Sequence, residues 1–371
     1  MIKKPLITVV FGTRPEAIKF SPLIQQLKQE KFLTIRVILT GQHSEMVDQV
    51  LSLFKIKEDN NLKIMKENQT LTHITTQILE KLKIEFTNHK PDLVLVQGDT
   101  TSAMASSLAA FYEKIPIGHV EAGLRTNSII NPFPEEANRR LISQLSALHF
   151  APSKKAFDNL KKDNVSGKIF LTGNTVIDAL LYISNNSLTN YLNDIDWENQ
   201  RIILATVHRR ENWGKNIENI CHALKKILEN NSKVFLIMPL HKNKLISEPI
   251  KKILFNHPQV KLTNPLSYEK LVEIIKRSTL VLTDSGGIQE EAPSLGKPVL
   301  VLRETTERTE ALEYGTTKLV GTDIENIFEN ANLLLNNEVE YNSMAKSINP
   351  YGDGTASKKI IDECKTFLKL N

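Results

Sequence analysis

The stretch DLVLVQGDTTSAMASSLAAFYEKIPIGHVEAG (residues 92–123) decides the fold class of this chain. Two apolar runs, 92–97 and 115–120, have the length and composition of buried strands. Between them, a threonine-rich turn leads into an alanine-rich segment that is typical of a helix. A strand, a helix and a second strand in this order predict a βαβ unit, in which the two strands are parallel.

The same alternation of strands and helices continues along the chain. Further strand-like runs lie at 6–11, 34–39, 201–206, 233–238, 259–263, 280–284 and 298–302. We therefore predict an α/β protein with two Rossmann-like, doubly wound domains that face each other across a cleft. A chain of 371 residues exceeds one typical core, which also favours two domains. The polar stretch 184–200 is the best linker candidate, and residues 356–370 predict a C-terminal helix.

Composition narrows the functional class. Hydrophobic residues make up 41% and charged residues 24% of a chain with a formal net charge of +5. The positive charge is not clustered, so it suits a small polyanion better than a nucleic acid. Cys221 and Cys364 form neither a disulfide framework nor a metal-ligand spacing, as in a reducing compartment. The first apolar run is too short for a signal peptide or a membrane span, so we expect a cytoplasmic protein without a membrane partner.

Polar clusters follow five of the predicted strands, at the point where each strand ends. They occupy 12–16, 98–100, Glu121, 208–211 and 284–287. In open α/β sheets, ligands bind at the carboxyl ends of the strands. Five clusters at such ends therefore predict a site lined from both domains.

The last cluster opens the segment DSGGIQEEAPSLGKPVL (284–300). Glycines at a helix start leave N–H groups open to a phosphate, and the helix dipole favours an anion there. A carboxylate further along the helix suits a sugar hydroxyl. The segment predicts half of a nucleotide site, with phosphates at Ser285, Gly286 and Gly287 and the ribose at Glu291. A capped helix with a solvated acidic face is the structural alternative.

Other candidates also have structural interpretations. Asp99 fits a helix cap as well as a catalytic role. Glu135 fits the acidic first turn of a helix. Arg308 is most simply the ion-pair partner of Glu304 or Glu307.

Three candidates indicate more than local structure. Glu121 ends an apolar strand, where a buried carboxylate needs a partner. Arg14 and Lys19 lie at a helix start, where the dipole disfavours cations, so they indicate a bound anion. For His208, by contrast, a hydrogen-bonded structural histidine at a strand end is the commoner outcome.

Several familiar sites are excluded by spacing. Gly12 stands alone after the first strand, without the further glycines of a dinucleotide fingerprint. Gly296 and Lys297 lack the rest of a phosphate loop. No His or Cys pair has metal-ligand spacing, and no G-x-S-x-G elbow occurs. We therefore expect neither a nicotinamide cofactor nor a metal.

Taken together, the motifs resemble those of the non-hydrolysing bacterial UDP-N-acetylglucosamine 2-epimerases. They are FGTRPEAIKFSPLI, GQHSEMVDQVL, VQGDTTSAMASSLAAFY, GHVEAGLRT, PFPEEANRRL, TGNTVIDALL, HRREN, DSGGIQEEAPSLGKPVLVLR and NPYGDG. The resemblance implies a glycosyltransferase-B-type fold with domains at 1–175 and 176–350 and a helix in 351–371 that returns to the first domain. It also implies a homodimer that uses no cofactor.

The resemblance assigns roles to matching residues. The implied catalytic residues are the carboxylates Asp99, Glu121 and Glu135, together with His208 at the diphosphate. The implied substrate-binding residues are Arg14, Lys19, Leu266, Ser285, Gly286, Gly287, Glu291 and Arg308. Gln42, Gln69 and His241 match a site for an activating second substrate molecule, although Asn68 stands where relatives often carry arginine.

The implied reaction inverts C2 of UDP-N-acetylglucosamine by anti elimination of UDP to 2-acetamidoglucal, followed by re-addition. Its product, UDP-N-acetylmannosamine, would supply cell-surface polysaccharide synthesis. The alternatives are a hydrolysing relative that releases UDP and free N-acetylmannosamine, a catalytically silent UDP-sugar-binding protein, and a glycosyltransferase.

Overall fold

A computed structural model describes residues 4–42, 45–67, 69–126, 128–186, 191–306 and 308–370. The chain divides into two compact units. Unit 1 comprises Met1–Leu181 and Tyr351–Asn371, and unit 2 comprises Tyr182–Pro350.

Unit 1 is built on a parallel sheet with seven strands among the described residues. They are β1 (Leu6–Phe11), β2 (Thr34–Leu39), β3 (Asn60–Asn61), β4 (Leu93–Gln97), β5 (Ile117–Val120), β6 (Leu148–Ala151) and β7 (Lys168–Leu171). Their order is β3-β2-β1-β4-β5-β6-β7, with Ile7 of β1 opposite Leu93 of β4. Because the strands are parallel, the turns that follow β1, β4 and β5 meet at the same edge of the sheet.

Helices connect these strands. They are α1 (Arg14–Gln29), α2 (Glu45–Leu53), α3 (Leu71–Asn88), α4 (Thr101–Tyr112), α5 (Glu135–Leu145), α6 (Lys154–Lys162) and α7 (Thr175–Asn186). The predicted βαβ unit is present as β4, α4 and β5. Ala103 and Ala110 of α4 are fully buried, since small side chains let this helix lie close to the sheet. Thr100 caps α4, and its hydroxyl accepts a hydrogen bond from the Ala103 N–H at 2.9 Å.

Unit 2 repeats the architecture, with six parallel strands among the described residues. They are β8 (Arg201–Thr206), β9 (Val234–Pro239), β10 (Val260–Thr263), β11 (Leu280–Thr283), β12 (Val299–Val301) and β13 (Thr317–Leu319), in the order β10-β9-β8-β11-β12-β13. Its helices are α8 (Lys215–Glu229), α9 (Lys244–Leu254), α10 (Tyr268–Arg277), α11 (Gly286–Ser294), α12 (Thr309–Glu313), α13 (Ile324–Asn336) and α14 (Glu338–Ala345). The predicted fold class, two Rossmann-like α/β domains, is confirmed.

The division between the units differs from the boundary predicted at residue 175. The division lies inside α7, between Leu181 and Tyr182. Ile177 and Leu180, in the first turns of that helix, are fully buried. The predicted linker at 184–200 is also partly structured. Helix α7 continues to Asn186, and Trp197 packs against the core of unit 2, while residues 187–190 lie outside the described part of the chain.

The last helix, α15 (Ala356–Phe367), is held in unit 1 by Asp178. The Asp178 carboxylate accepts hydrogen bonds from the backbone N–H groups of Ser357 at 2.7 Å and Ala356 at 3.2 Å. These groups begin the helix and have no partner within it. Burial raises the pKa of Asp178, although the hydrogen bond from Ser357 opposes this shift. At the other end of the helix, Lys365 pairs with Glu30, the C-cap residue of α1, at 3.3 Å.

Replacing Asp178 by alanine leaves two buried N–H groups without an acceptor. We expect Asp178→Ala to lower the free energy of unfolding by about 1–3 kcal/mol and to accelerate amide hydrogen exchange in α15. Asp362→Ala removes an exposed carboxylate from the same helix and should change stability by less than about 0.5 kcal/mol. Urea unfolding and exchange mass spectrometry measure both effects, and equal losses in the two variants would contradict this role.

Candidate functional site

The turn after β1 is held by a buried carboxylate, Glu16. Its Oε2 accepts hydrogen bonds from the N–H groups of Gly12 at 3.0 Å and Thr13 at 2.8 Å, and its Oε1 accepts one from the Thr100 hydroxyl at 2.7 Å. Burial raises the pKa of Glu16, and these hydrogen bonds oppose the shift only in part. Glu16 thereby connects the turn after β1 with the turn after β4. The half-buried Arg14 directly follows the first of these turns.

Glu121 ends β5 and is the most extensively held of the predicted carboxylates. Its backbone is left-handed, with φ +61°, a conformation that costs a non-glycine residue about 1–3 kcal/mol. The carboxylate accepts hydrogen bonds from Lys19 Nζ at 2.5 and 2.6 Å, Gln97 Nε2 at 2.7 Å and Asn174 Nδ2 at 3.1 Å. Lys19, assigned to nucleotide binding by the resemblance, is therefore an ion-pair partner of Glu121 here. Gln97 and Asn174 were not predicted, because amide side chains give no sequence signal for such a contact.

Asp99 is paired with an arginine that the sequence did not single out. Its Oδ2 accepts from Arg139 Nη2 at 2.6 Å and Nε at 2.8 Å. The cap of α4 is Thr100 and not Asp99, so the structural alternative for Asp99 is wrong. Arg139 lies four residues after Glu135 on α5, a spacing that places both on one helix face and could have identified it.

Two adjacent carboxylates begin α5 and have different surroundings. Glu136 is fully buried and accepts hydrogen bonds from Arg139 at 3.1 Å, Arg140 at 2.9 Å and the Thr126 N–H at 3.0 Å. By contrast, Oε2 of Glu135 is buried without a hydrogen-bond partner among the described residues. A buried polar atom without a partner costs free energy unless a ligand provides one. Glu135 is therefore the member of the pair that is available to a ligand.

In unit 2, the buried Asp284 organises the turn after β8. Its carboxylate accepts hydrogen bonds from the N–H groups of His208 at 2.9 Å and Arg209 at 2.9 Å and from Asn212 Nδ2 at 2.9 Å. Burial tends to raise the pKa of Asp284, but the hydrogen bonds from His208 and Arg209 outweigh it and hold the pKa below its usual range. His208 Nδ1 lies 2.9 Å from Oδ1 of this carboxylate, on a ring that is 42% exposed. The contact orients the imidazole so that the Nε2 edge remains for a ligand.

The start of α11 has the features of an anion site. Ser285 is its N-cap residue but makes no side-chain cap hydrogen bond, and Gly286 and Gly287 form the first turn. A methyl group added at Gly287 would meet Glu291 at 4.0 Å, so the backbone there is open to close approach. Exposed N–H groups and the helix dipole favour a phosphate at this position.

The two glutamates of α11 have different partners. Glu290 accepts a hydrogen bond from Arg308 Nε at 2.5 Å, a partner that the sequence analysis did not name for Arg308. The expected partner Glu307 lies outside the described residues. Glu291 is buried and accepts from the Tyr268 hydroxyl at 2.8 Å. Neither residue forms a solvated acidic face, so that structural alternative is wrong.

The other predicted positions fall in both units. Leu266 is half-buried against the apolar core of unit 2. Gln42 and Gln69 come together in unit 1, where Gln69 Nε2 donates to the Gln42 carbonyl at 3.4 Å. In unit 2, His241 Nδ1 accepts from the Asn243 N–H at 3.1 Å. Asn68 lies outside the described residues.

In the described ranges, no group of three or more His, Cys, Asp or Glu side chains could hold a metal ion. No described helix combines the length and apolar character needed to cross a bilayer.

Comparison with known proteins identifies the family. Residues 25–365 match the family model described as UDP-N-acetylglucosamine 2-epimerase. The chain is 49% identical over 369 residues to the UDP-N-acetylglucosamine 2-epimerase of Escherichia coli (strain K12), covering 97% of this chain and 98% of that protein. It is 48% identical over 374 residues to the enzyme of that name from Salmonella typhimurium (strain LT2), covering 97% and 98%.

A solved structure agrees with these relatives. The crystal structure of UDP-GlcNAc 2-epimerase from Neisseria meningitidis bound to UDP-GlcNAc superposes with a TM-score of 0.88 at 48% identity, covering 98% of this chain and 100% of that one. The sequence match and the shared fold both extend over nearly the whole chain. This protein therefore belongs to the UDP-N-acetylglucosamine 2-epimerase family.

Proposed function

We propose that this protein interconverts UDP-N-acetylglucosamine and UDP-N-acetylmannosamine at C2 without hydrolysis, and so supplies the manno sugar for cell-surface polysaccharide. The observation that carries the proposal is the set of carboxylates at the sheet edge of unit 1. Asp99 and Glu121 are each held by a cation, while Glu135 presents a buried oxygen without a partner among the described residues. Family membership supports the choice of substrate.

The proposed reaction passes through an elimination. The C2 proton is weakly acidic because no carbonyl adjoins C2. Departure of UDP with the electrons of the C1–O bond builds positive charge at C1 and acidifies that proton. Loss of the proton to a protein base forms the C1=C2 bond of 2-acetamidoglucal. Delivery of a proton to the opposite face of C2 and attack of UDP on C1 complete the inversion.

The groups of unit 2 suit the departing diphosphate. The start of α11 at Gly286 and Gly287 supplies N–H donors. The imidazolium form of His208, with Nδ1–H on Asp284, would supply another through Nε2–H. Arg308 would exchange Glu290 for the diphosphate, and Arg14 of unit 1 would add a further cation. Oriented donors of this kind stabilise charge that develops in a transition state.

The groups of unit 1 suit the proton transfers. Lys19 orients Glu121 and Arg139 orients Asp99, so both carboxylates have a defined geometry. Oε2 of Glu135, buried without a hydrogen-bond partner among the described residues, is available to contact the sugar. Carboxylates in distinct surroundings are suited to serving two faces of C2.

Further aspects of the proposal concern regulation and location. Gln42 and Gln69 are proposed, with His241, to contact an activating second molecule of UDP-N-acetylglucosamine. Cys221 and Cys364 are buried free thiols, which suits a reducing compartment. We therefore propose that the protein acts in the cytoplasm.

We also propose a homodimer formed through α3, α4 and α5. These helices pack in sequence, α3 against α4 and α4 against α5. They leave large apolar side chains more than half exposed, namely Ile84, Phe111, Tyr112 and Leu141. Exposed apolar side chains on adjacent helices are typical of a protein interface.

Isotope exchange tests the reaction. We expect product formed in deuterium oxide to carry deuterium at C2, because the proton returns from a solvent-equilibrated acid. Asp99→Asn, Glu121→Gln and Glu135→Gln should each lower exchange and epimerisation together by about 10²–10⁴-fold. Asp158→Asn, at an exposed carboxylate of α6, should retain wild-type rates. Proton NMR of UDP-N-acetylglucosamine measures both processes.

Two outcomes of this experiment would contradict the proposal. Retention of hydrogen at C2 in the product would exclude elimination. Stoichiometric release of UDP and free N-acetylmannosamine would identify a hydrolysing enzyme instead.

Removing the imidazole tests the diphosphate contact. We expect His208→Asn to lower kcat by about 10²–10³-fold, with a much smaller loss of UDP affinity, because the contact matters most as charge develops on UDP. The control is His222→Asn, at an exposed histidine of α8. Steady-state kinetics and UDP titration calorimetry separate the two effects. A nearly unchanged kcat in His208→Asn would remove this residue from the mechanism.

Sedimentation velocity tests the dimer. Wild-type protein should sediment at twice the monomer mass, and Tyr112→Glu should sediment as a monomer, because it places a charge in the proposed interface. Phe255→Glu alters an equally exposed aromatic residue in unit 2 and should remain dimeric. A monomeric wild-type protein, or a dimeric Tyr112→Glu variant, would disprove the interface.

A further inference from the structure

Two sequence motifs, TGN and NPYGDG, have no part in the reaction described above, yet they meet in unit 1. The Asn174 N–H donates to the Tyr351 carbonyl at 2.7 Å. Gly173 and Gly352 have positive φ angles of +89° and +122°, and a Cβ added to either would lie 3.3 Å from the Cα of the other. Both positions therefore require glycine, because a side chain would force the two backbone segments apart.

The close approach of these two segments fixes the position of the buried Asn174 side chain. Asn174 is 2% exposed, and its Oδ1 accepts a hydrogen bond from the Val176 N–H at 3.1 Å. That contact makes Oδ1 the acceptor and leaves Nδ2 as the donor. Nδ2 donates to Oε1 of Glu121 at 3.1 Å. The hydrogen bond from the Val176 N–H thus fixes the orientation of the amide. In that orientation, Nδ2 donates to the Glu121 carboxylate.

Each oxygen of the Glu121 carboxylate accepts a hydrogen bond from a neutral amide donor. Gln97 Nε2 donates to Oε2 at 2.7 Å, and Asn174 Nδ2 donates to Oε1. The flexible Lys19 side chain contacts both oxygens. The two amides therefore fix the plane of the carboxylate, while the lysine supplies charge.

We propose that Asn174 is a positioning residue for Glu121, and that the C-terminal segment beginning at Tyr351 holds it in place. This inference rests on the proposed function, since it assigns Glu121 to proton transfer. It gives the C-terminal segment a part in catalysis through the hydrogen bond between Asn174 and Tyr351. Displacement of a reacting group by about 1 Å can cost about 100-fold in rate, so a small change in this amide should be measurable.

The test uses Asn174→Asp in the full-length protein. Aspartate retains the acceptor for the Val176 N–H but replaces the donor to Glu121 by a second carboxylate. We expect kcat to fall about 100-fold, with KM changed less than about 3-fold. The acidic limb of the kcat–pH profile should move to higher pH by about one unit or more, because neighbouring like charges oppose ionisation.

Asn337→Asp is the matched control. Asn337 is an N-cap whose Oδ1 accepts from the Val339 N–H at 3.0 Å, two residues ahead, as in Asn174. It should retain the wild-type kcat and pH profile. If Asn174→Asp does not fold, Asn174→Ser serves instead, since its hydroxyl can still accept from Val176 but cannot reach Glu121.

The outcomes separate this inference from the proposed function. If the wild-type protein has no epimerase activity, the proposed function is wrong and the inference loses its basis. An active wild type with an unchanged kcat and pH profile in the Asn174 variant overturns the inference alone. A lower kcat with an unshifted pH profile and a lower unfolding temperature would show a purely structural role and also overturns it.

Discussion

Backbone N–H groups at the ends of parallel strands need acceptors, and in this protein two buried carboxylates provide them. Glu16 accepts from the turn after β1 and from Thr100 after β4. Asp284 accepts from the turn after β8 at His208 and Arg209. A buried carboxylate is costly unless it is hydrogen-bonded, so each of these turns has one well-defined conformation. In each unit, the candidate charged side chains depend on these turns, because the turns carry them.

The candidate residues of the two units differ in whether their polar groups already have partners. Lys19 pairs with Glu121 and Arg139 with Asp99, which orients both carboxylates before any ligand binds. In contrast, Oε2 of Glu135 has no hydrogen-bond partner in the described chain, and the first-turn N–H groups of α11 have no partner within that helix. Donors and acceptors that are fixed in advance need little reorganisation during a reaction.

Several contacts differ from those suggested by neighbours in sequence. Arg308 donates a hydrogen bond to Glu290, which lies 18 residues earlier in the chain. Helix α11 and the segment that carries Arg308 come together only when β11 and β12 pair in the sheet. Proximity in the sequence did not predict this contact, because a helix turn and a loop can meet across a sheet edge.

The sequence alone determined the alternation of nine predicted strands with helices, the Rossmann-like class of both units and the strand-end positions of the candidate residues. These follow from short-range patterns of apolar residues and turns. The short strands β3, β6, β7 and β13 were not predicted. Only the tertiary structure decided which side chains meet, such as Asn174 with Glu121 and Asp178 with the start of α15. These contacts join residues far apart in the chain, and their formation depends on strand order and close backbone packing, which no local pattern encodes.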